Sequence, residues 1–277
     1  MQIIDGRAIA QKLRERTRED VASLSGVICF HAILVGDNPA SKIYITMKQK
    51  ACAEVGIDMH VTHMPQDTTQ KTLNNHLAKL SAATGVHGIL LQLPLPDHLD
   101  ARNAIAHINP LKDVDGLTIE NFGHLTIEGP KLSPCTALGI VHILHAMNIE
   151  IAGKDITVIG RSNIVGKPTA LLLMSQNATV TVCHSGTRDL GKHTANADII
   201  IVAAGCPGLL TPNMVRHGAI VIDVGINRLP NGKVVGDADF EGLQGKVSMI
   251  TPVPGGVGPL TIAFLLENIV QSYRLQQ

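Results

Sequence analysis

Tyr44 and Lys48 stand four residues apart in PASKIYITMKQKACAEVG, a segment that predicts a helix ending before Gly56. That spacing makes the two side chains neighbours on one helix face. A partly buried lysine can exchange protons and a tyrosine ring can stack on a planar ligand, so the pair could do acid–base chemistry. The alternative is a solvated lysine lying along an aromatic ring, with Ile43 and Met47 on the buried face instead. The spacing alone favours this alternative.

Further polar groups stand near the carboxyl end of a predicted strand. Gln92 closes the apolar run of LLQLPLP, and open parallel sheets place ligand-binding groups at such ends. Asp113 and Asp115 follow in KDVDG. Paired acids in one turn more often cap a loop than form a site, and the pattern alone favours the cap.

The stretch VIGRSNIVGKP has the order strand, glycine turn, helix, which directs backbone N–H groups toward an anion. Gly160 permits the tight turn and Gly166 a close approach of helix and sheet, while Ser162 offers a side-chain donor and Arg161 a charge. The stretch lacks the G-x-G-x-x-G spacing of most dinucleotide-binding turns. A plain strand-to-helix turn with a capping serine explains it equally well.

The end of the next predicted strand bears on the choice of nucleotide. An NAD site usually places an acid there, on the ribose 2′-hydroxyl, but this chain reads HSGTR and has no acid before Asp189. Ser185 and Arg188, together with Arg161, can instead offer donors and positive charge to a 2′-phosphate. The residues therefore predict NADP over NAD.

A glycine-rich loop, PVPGGVGP, contains Pro254, Gly255 and Gly256 and leads directly into a predicted helix. Such a loop suits close approach of the backbone to a ligand. A tight turn between domains is the alternative.

The elements that must position these residues alternate between strand and helix, which predicts parallel α/β structure. The predicted strands are 28–35, 57–63, 88–93, 156–159, 179–183, 199–203 and 219–224, and the predicted helices include 69–83, 135–148 and 260–275. The polar stretch 112–134 interrupts the alternation and predicts a domain junction.

Composition excludes several classes of function. Lys plus Arg equals Asp plus Glu, at 23 each, so no net charge draws the chain to nucleic acid or to an acidic membrane surface. No apolar run reaches the roughly 18 residues of a spanning helix, and no secretory signal is recognised. Five cysteines without a C-x-x-C pair indicate reduced thiols and a cytoplasmic protein. Two histidine pairs, His142 with His145 and His60 with His63, lack further ligands at suitable spacing, so no metal site is predicted.

Taken in order, the motifs resemble one family. IDGRAIA, VGDNPASKIYITMK, LLQLPLP, KDVDG, VIGRSNIVGKP, DVGINRLPNGKVVGD and TPVPGGVGPLT are similar to the landmarks of the bifunctional methylenetetrahydrofolate dehydrogenases/methenyltetrahydrofolate cyclohydrolases. The resemblance covers nearly the whole chain. It implies two α/β domains around a cleft: residues 1–118 as a folate-binding catalytic domain, with helix 259–277 packing back on it, and residues 119–258 as a Rossmann-type NADP-binding domain.

The resemblance also implies a homodimer, a function and a role for each site residue. The enzyme would oxidise 5,10-methylenetetrahydrofolate with NADP and hydrolyse the methenyl product to 10-formyltetrahydrofolate, in one-carbon metabolism that supports purine synthesis. In the implied site, Tyr44 stacks on the aminobenzoyl ring, Lys48 serves water addition and ring opening, Gln92 orients Lys48 and keeps it partly neutral, and Asp115 binds the pterin. Arg161 and Ser162, at the Gly160 turn, and Ser185, after the next strand, hold cofactor phosphates. Gly225 and Ile226 lie near the nicotinamide, and Pro254, Gly255 and Gly256 contact the substrate.

The chain departs from the family pattern in three places: Ala137 replaces the proline of PCTP, DGLTIEN lacks a His-Pro pair, and Gly186 replaces a common lysine near the 2′-phosphate. The last departure weakens the NADP prediction without reversing it. Two alternatives stay open, namely an NADP-linked dehydrogenase without hydrolase activity and a non-catalytic nucleotide sensor of the same fold.

Overall fold

A computed structural model describes residues 1–127, 129 and 131–277. The strands are β1 Gln2–Ile3, β2 Cys29–Val35, β3 Asp58–Met64, β4 Gly88–Leu91, β5 Asp155–Ile159, β6 Thr179–Cys183, β7 Ile199–Val202, β8 Ile220–Asp223, β9 Asn227–Arg228, β10 Val234–Val235 and β11 Met249–Ile250. The α-helices are α1 Gly6–Ser23, α2 Pro39–Val55, α3 Gln70–Ala82, α4 Ala101–Ile105, α5 Ile119–Ile127, α6 Cys135–Ala146, α7 Gly166–Met174, α8 Leu190–Thr194 and α9 Val257–Leu275. Short 3-10 helices lie at Pro110–Lys112 and Pro212–Met214.

The chain divides into two compact units, neither of them continuous in sequence. The three-stranded unit comprises Lys12–Cys135 and Ile262–Gln277, and the six-stranded unit comprises Met1–Gln11 and Thr136–Thr261. The predicted α/β class with two domains is confirmed. The division differs from a boundary at 118/119, because residues 119–135 lie in the three-stranded unit. The stretch 112–134, predicted to be a junction, contains helix α5.

The three-stranded unit is built on a parallel sheet of order β3-β2-β4. One face of β2 carries Phe30 and Ala32, which join a core with apolar side chains of α2 and α9. The other face carries Ile33 and Val35, which pack with the leucines of α3. Because both faces are covered, β2 reads as a nearly continuous apolar run, as expected for a buried parallel strand.

The six-stranded unit contains a parallel sheet of order β1-β11-β8-β7-β5-β6. From β5 the chain moves outward to β6 and then returns to β7 on the other side of β5. The carboxyl end of β5 is therefore the point at which the strand order reverses, where open α/β sheets bind their ligands. The glycine turn follows β5, so the sheet topology places it at this point.

The first residues of the chain complete this sheet. Gln2 pairs with Met249 and Ile3 with Ile250, which joins β1 to β11. This pairing draws Met1–Gln11 into the six-stranded unit, whereas the sequence alone predicted that they belong to the first domain.

Among the described residues, no helix combines the length and the apolar character that crossing a membrane requires.

Candidate active site

Lys48 is held inside the three-stranded unit by helix α2. The helix begins at Pro39, where the side chain of Asn38 accepts a hydrogen bond from the Ser41 N–H at 3.1 Å, and ends at Gly56 in the left-handed conformation. Both ends are those that the residue types favour, since asparagine caps helices and glycine terminates them. The side chain of Lys48 is buried, at 9% exposure.

The interpretation of Lys48 as a solvated lysine is therefore wrong. Ile43 and Met47, expected on the buried face, are 52% and 45% exposed. The face that packs inward is formed by Ser41, Ile45, Lys48, Ala51, Cys52 and Val55. A helix with apolar residues on two sides can turn either side toward the core. Here the side with Ile45, Cys52 and Val55 packs into the core against the sheet.

Gln92 fixes the amine of Lys48. The Lys48 Nζ donates a hydrogen bond to Gln92 Oε1 at 3.0 Å. The amide nitrogen of Gln92 donates to Leu93 O at 2.7 Å, so the oxygen of the amide faces the lysine. The backbone N–H of Gln92 donates to Ile33 O at 2.8 Å, which anchors the residue to the sheet at the end of β4. A lysine ammonium has three N–H donors, so one bond to Gln92 leaves capacity for a ligand.

The two acids of KDVDG have different environments. Asp113 is buried, and its Oδ2 accepts hydrogen bonds from Thr118 N at 2.7 Å and from Asn121 Nδ2 at 3.0 Å, at the start of α5. Burial raises the pKa of this carboxyl. Asp113 is thus the loop cap that the pattern favoured. Asp115 is half-buried, and its Oδ1 lies 3.7 Å from the Cys135 thiol, which also has Val114 O within reach at 3.4 Å. Asp115 is therefore left as the candidate for ligand binding.

The charges of Lys48 and Asp115 both influence the thiol of Cys135. Burial raises the pKa of the Cys135 thiol, the negative charge of Asp115 raises it further, and the positive charge of Lys48 lowers it. Tyr44 lies one helical turn before Lys48 and is half-buried, which raises the pKa of its hydroxyl. Within the three-stranded unit, Lys48 is thus in contact with Gln92, and both Lys48 and Asp115 influence the same Cys135 thiol. Sequence reasoning missed Cys135, because a lone buried cysteine carries no distinctive pattern.

The glycine turn of the six-stranded unit requires glycine at two positions, Gly160 and Gly166, because a side chain at either would overlap the backbone. Gly160 has a φ of 127°, and a Cβ there would overlap the carbonyl oxygen of Ala203. A Cβ on Gly166 would overlap the carbonyl of Gly160. The close approach predicted from the sequence is therefore present, and it presents the N-terminus of α7 at the carboxyl end of β5.

Ser162 binds backbone N–H groups at the start of α7. Its Oγ accepts hydrogen bonds from Val165 N at 3.1 Å and from Gly166 N at 3.4 Å. Ser162 is not itself the N-cap residue, since Val165 occupies that position. Its hydroxyl can still donate to a ligand, because a serine oxygen can accept while its O–H donates. Arg161 beside it is exposed.

The turn after β6 is polar and folded on itself. His184 Nδ1 accepts from Gly186 N at 3.0 Å, while Ser185 and Arg188 are exposed. Asp189, the first acid after the strand, accepts from Lys192 N at 3.1 Å and caps α8. The acid is thus committed to a helix, which fits the NADP prediction.

Gly225 and Ile226 follow β8. Gly225 N donates to Asp223 Oδ1 at 3.0 Å, and a Cβ on Gly225 would overlap the carboxylate of Asp237. Ile226 is 56% exposed, although it is a large apolar residue. The loop therefore offers a backbone surface and an exposed apolar side chain.

Two buried carboxylates that sequence reasoning missed hold this loop. Asp223 accepts from Asp237 N and Ala238 N, each at 2.9 Å, and burial raises its pKa to about 6. Asp237 Oδ2 accepts from Ala204 N at 2.6 Å and Gly205 N at 2.8 Å. The loops after β7 and β8 are thereby joined. The motif DVGINRLPNGKVVGD contains both acids and was the available signal.

The glycine-rich loop also packs closely against its own chain. Gly255 has a φ of 110°, and a Cβ on Gly256 would lie 2.7 Å from Pro252 O. A Cβ on Gly6, at the start of α1, would overlap the carbonyl of Gly256. This packing explains why residue 256 must be glycine. Pro254, in the same loop, is exposed to solvent.

These features define a class: a two-domain α/β dehydrogenase with a dinucleotide-binding turn at the switch point of a parallel sheet. Residues 4–115 match the family model described as "Tetrahydrofolate dehydrogenase/cyclohydrolase, catalytic domain". Residues 134–277 match the model "Tetrahydrofolate dehydrogenase/cyclohydrolase, NAD(P)-binding domain". The chain belongs to the tetrahydrofolate dehydrogenase/cyclohydrolase family. The predicted bifunctional enzyme with a nicotinamide dinucleotide cofactor is thereby confirmed.

Relatives match the chain along its length. It is 50% identical over 277 residues to the "Bifunctional protein FolD" of Campylobacter jejuni subsp. jejuni serotype O:23/36 (strain 81-176), covering 98% of each chain. A crystal structure of a bifunctional methylenetetrahydrofolate dehydrogenase/cyclohydrolase from Campylobacter jejuni has a TM-score of 0.97, 48% identity and full coverage of both chains. The Trypanosoma brucei enzyme, solved with NADP cofactor and inhibitor, has a TM-score of 0.94 and 37% identity, covering 99% of this chain and 97% of its own.

Proposed function

We propose that this enzyme oxidises 5,10-methylenetetrahydrofolate to 5,10-methenyltetrahydrofolate with NADP and hydrolyses the product to 10-formyltetrahydrofolate. The observation that carries the proposal is the buried amine of Lys48, held 3.0 Å from Gln92 Oε1 in the domain that matches the catalytic family model. A buried amine whose hydrogen-bond partner is a neutral amide is suited to proton exchange. We further propose that the three-stranded unit binds the folate and the six-stranded unit the cofactor.

The six-stranded unit fits NADP in three respects. The Gly160–Gly166 turn leaves backbone exposed at the N-terminus of α7, as the diphosphate requires. Arg161 and Ser185 are exposed and can bind the 2′-phosphate, with Ser162 on the phosphates as well. Bound NADP supplies a hydride acceptor. The exposed Ile226 and the backbone at Gly225 would lie against the nicotinamide and exclude water from its face.

For the hydrolytic step, Lys48 would pass protons between water, the ring nitrogen and solvent. Gln92 would hold the amine in one direction, since its own amide is fixed by Leu93 O. Asp115, whose carboxylate already accepts the Cys135 thiol, would accept hydrogen bonds from the pterin. Tyr44 would stack on the aminobenzoyl ring.

The glycine-rich loop and the assembly complete the proposal. Pro254, Gly255 and Gly256 would contact the folate, with Pro254 the exposed member.

A homodimer in the cytoplasm is proposed from the family resemblance. The cysteines at 29, 52, 135, 183 and 206 are free thiols, which suits a reducing compartment. Sedimentation equilibrium tests the dimer, and a monomer at micromolar concentration would contradict it.

The test of the reaction is spectrophotometric. Purified protein is mixed with methylenetetrahydrofolate and either NADP or NAD, and separately with methenyltetrahydrofolate alone. We expect reduced cofactor with NADP and loss of added methenyltetrahydrofolate. Reduction without hydrolysis would support a monofunctional dehydrogenase, and no turnover at saturating cofactor would support a nucleotide sensor.

A further inference from the structure

The sheet face that packs against α3 changes character along its strands. Toward their carboxyl ends, β2 and β3 present apolar side chains to the leucines of α3. Toward the amino ends the same face is polar, because side chains two residues apart share a face. The polar members are Cys29, His31, Asp58 and His60, paired across the strands as Cys29 with Asp58 and His31 with His60.

Three of these side chains converge. One potential metal-binding atom from each of Cys29, His31 and His60 lies within 4.8 Å of the other two. The two imidazole rings are stacked, with centroids 4.9 Å apart and planes at 17°. In a tetrahedral zinc site with one sulfur, bonds of about 2.3 Å to sulfur and 2.0–2.1 Å to nitrogen place donor atoms roughly 3.3–3.6 Å apart. Closure around an ion thus needs movements of about 1 Å, which His60, about half exposed, can make together with the equally exposed Asp58 side chain that it contacts.

Two ring nitrogens on this side of the sheet are buried and without hydrogen-bond partners among the described residues. They are His31 Nδ1 and Nε2 of His76, which lies on α3 beside Leu77. Buried polar atoms are normally satisfied, so such atoms indicate a missing partner. Burial lowers the pKa of both imidazoles, which favours the neutral form that binds metals.

Asp58 supplies the support that metal-binding histidines usually have. Its Oδ2 lies 2.9 Å from His60 Nε2. A ring nitrogen that donates to a carboxylate leaves the other nitrogen with its lone pair, and the carboxylate fixes the ring orientation. Asp58, which pairs with Cys29 across the two strands, therefore orients His60, which pairs with His31.

We propose that Cys29, His31 and His60 bind one divalent transition-metal ion of the zinc type, with Asp58 orienting His60. One thiolate and two imidazoles suit zinc and its neighbours, whereas magnesium and calcium prefer oxygen ligands. Binding releases the thiol proton of Cys29 to solvent, because the thiolate is the ligand. The site is distinct from the active site, since it lies at the amino ends of the strands and Gln92 lies at the carboxyl end of β4.

The test uses full-length protein freed of metal by a chelator and titrated with Co²⁺, which reports thiolate ligands by a charge-transfer band and tetrahedral geometry by its visible bands. We expect one equivalent to bind and to be displaced by Zn²⁺. Cys29→Ser should abolish the charge-transfer band, and Asp58→Asn should weaken binding roughly 10–100-fold. His60→Ala, at a half-exposed position that tolerates change, should weaken binding at least as much and remove the rise in thermal midpoint that Zn²⁺ gives.

Two matched controls should bind Co²⁺ normally: Cys206→Ser, an exposed cysteine of the six-stranded unit, and His63→Ala, three residues beyond His60 and on the other face of β3. Circular dichroism and dehydrogenase activity establish that each variant is folded. No thiolate band at saturating Co²⁺ in the unmodified protein would overturn the proposal, as would a band that persists in Cys29→Ser or disappears in Cys206→Ser.

Discussion

Lys48→Met separates the two chemical steps. Methionine keeps much of the apolar stem of lysine, so α2 and the Tyr44 ring should stay in place. The change removes the donor to Gln92 Oε1. An unsatisfied buried acceptor costs about 1–3 kcal/mol, which is less than the 5–15 kcal/mol typical of native stability. The variant should therefore fold.

The expected kinetic effects differ because only one step moves protons through the lysine. Hydride leaves the methylene carbon directly, so oxidation needs alignment and no proton donor. Hydrolysis needs an activated water and a protonated ring nitrogen, and general acid–base catalysis is typically worth 10²–10⁴-fold. Cyclohydrolase activity should fall at least ~100-fold, equivalent to about 2.7 kcal/mol of transition-state stabilisation. Dehydrogenase activity should fall much less.

Two absorbance measurements check this prediction. One follows the loss of added methenyltetrahydrofolate, and the other follows reduced cofactor with methylenetetrahydrofolate, during which the methenyl intermediate should accumulate in the variant. Lys50→Met, an exposed lysine on the same helix, is the matched control and should retain both activities. If folded Lys48→Met hydrolyses methenyltetrahydrofolate at near the original rate, the role assigned to Lys48 is wrong.

Three further predictions concern the cofactor, the folate and the buried acids. Arg161→Ala should raise the KM for NADP roughly 10- to 150-fold, since a charge-assisted contact is worth about 1.5–3 kcal/mol, and should leave NAD little changed; equal kcat/KM for both cofactors in the unmodified enzyme would contradict this. A tight folate analogue should inhibit both activities with one inhibition constant, and clearly different constants would indicate two folate sites. Burial raises the folded-state pKa of Asp223 to about 6, so its protonated form favours folding, and that contribution is lost as pH rises from about 4 through 6. Denaturant titrations should show that the unfolding free energy of the unmodified protein falls over this range relative to that of Asp223→Asn. A pH-independent difference between the two would refute the assignment.

Much of the fold was predictable because its long elements carry clear periods. The strand at 179–183 matches β6, and the apolar run at 28–35 matches β2 within one residue. The two-residue strands β1 and β11 were missed, since two residues show no period. Helix α5 was missed because Ile119 and Ile127, at its ends, are exposed, so it lacks a continuous apolar stripe.

The candidate site was predictable where a residue type is required by backbone geometry. Gly160 and Gly166 follow from the turn that they form. Which of Asp113 and Asp115 faces a ligand depends on the position of α5, and no local pattern contains that information. The cluster around Cys29 was equally hidden, because its members meet across strands whose register only the folded sheet defines.

The pairing of β1 with β11 has a consequence for dissecting the protein. A cut near residue 135 divides the chain at the boundary that its two family-model matches suggest, yet neither product would contain the whole of one compact unit. The first fragment would lose Leu265, Leu266 and Ile269 of α9 from the core around Phe30. The second would lose an edge strand and expose the backbone of β11 to pairing with other chains. A fragment that preserves the six-stranded unit must join residues 1–11 to residues 136–261, so a rearranged chain order, rather than a truncation, is the way to isolate it.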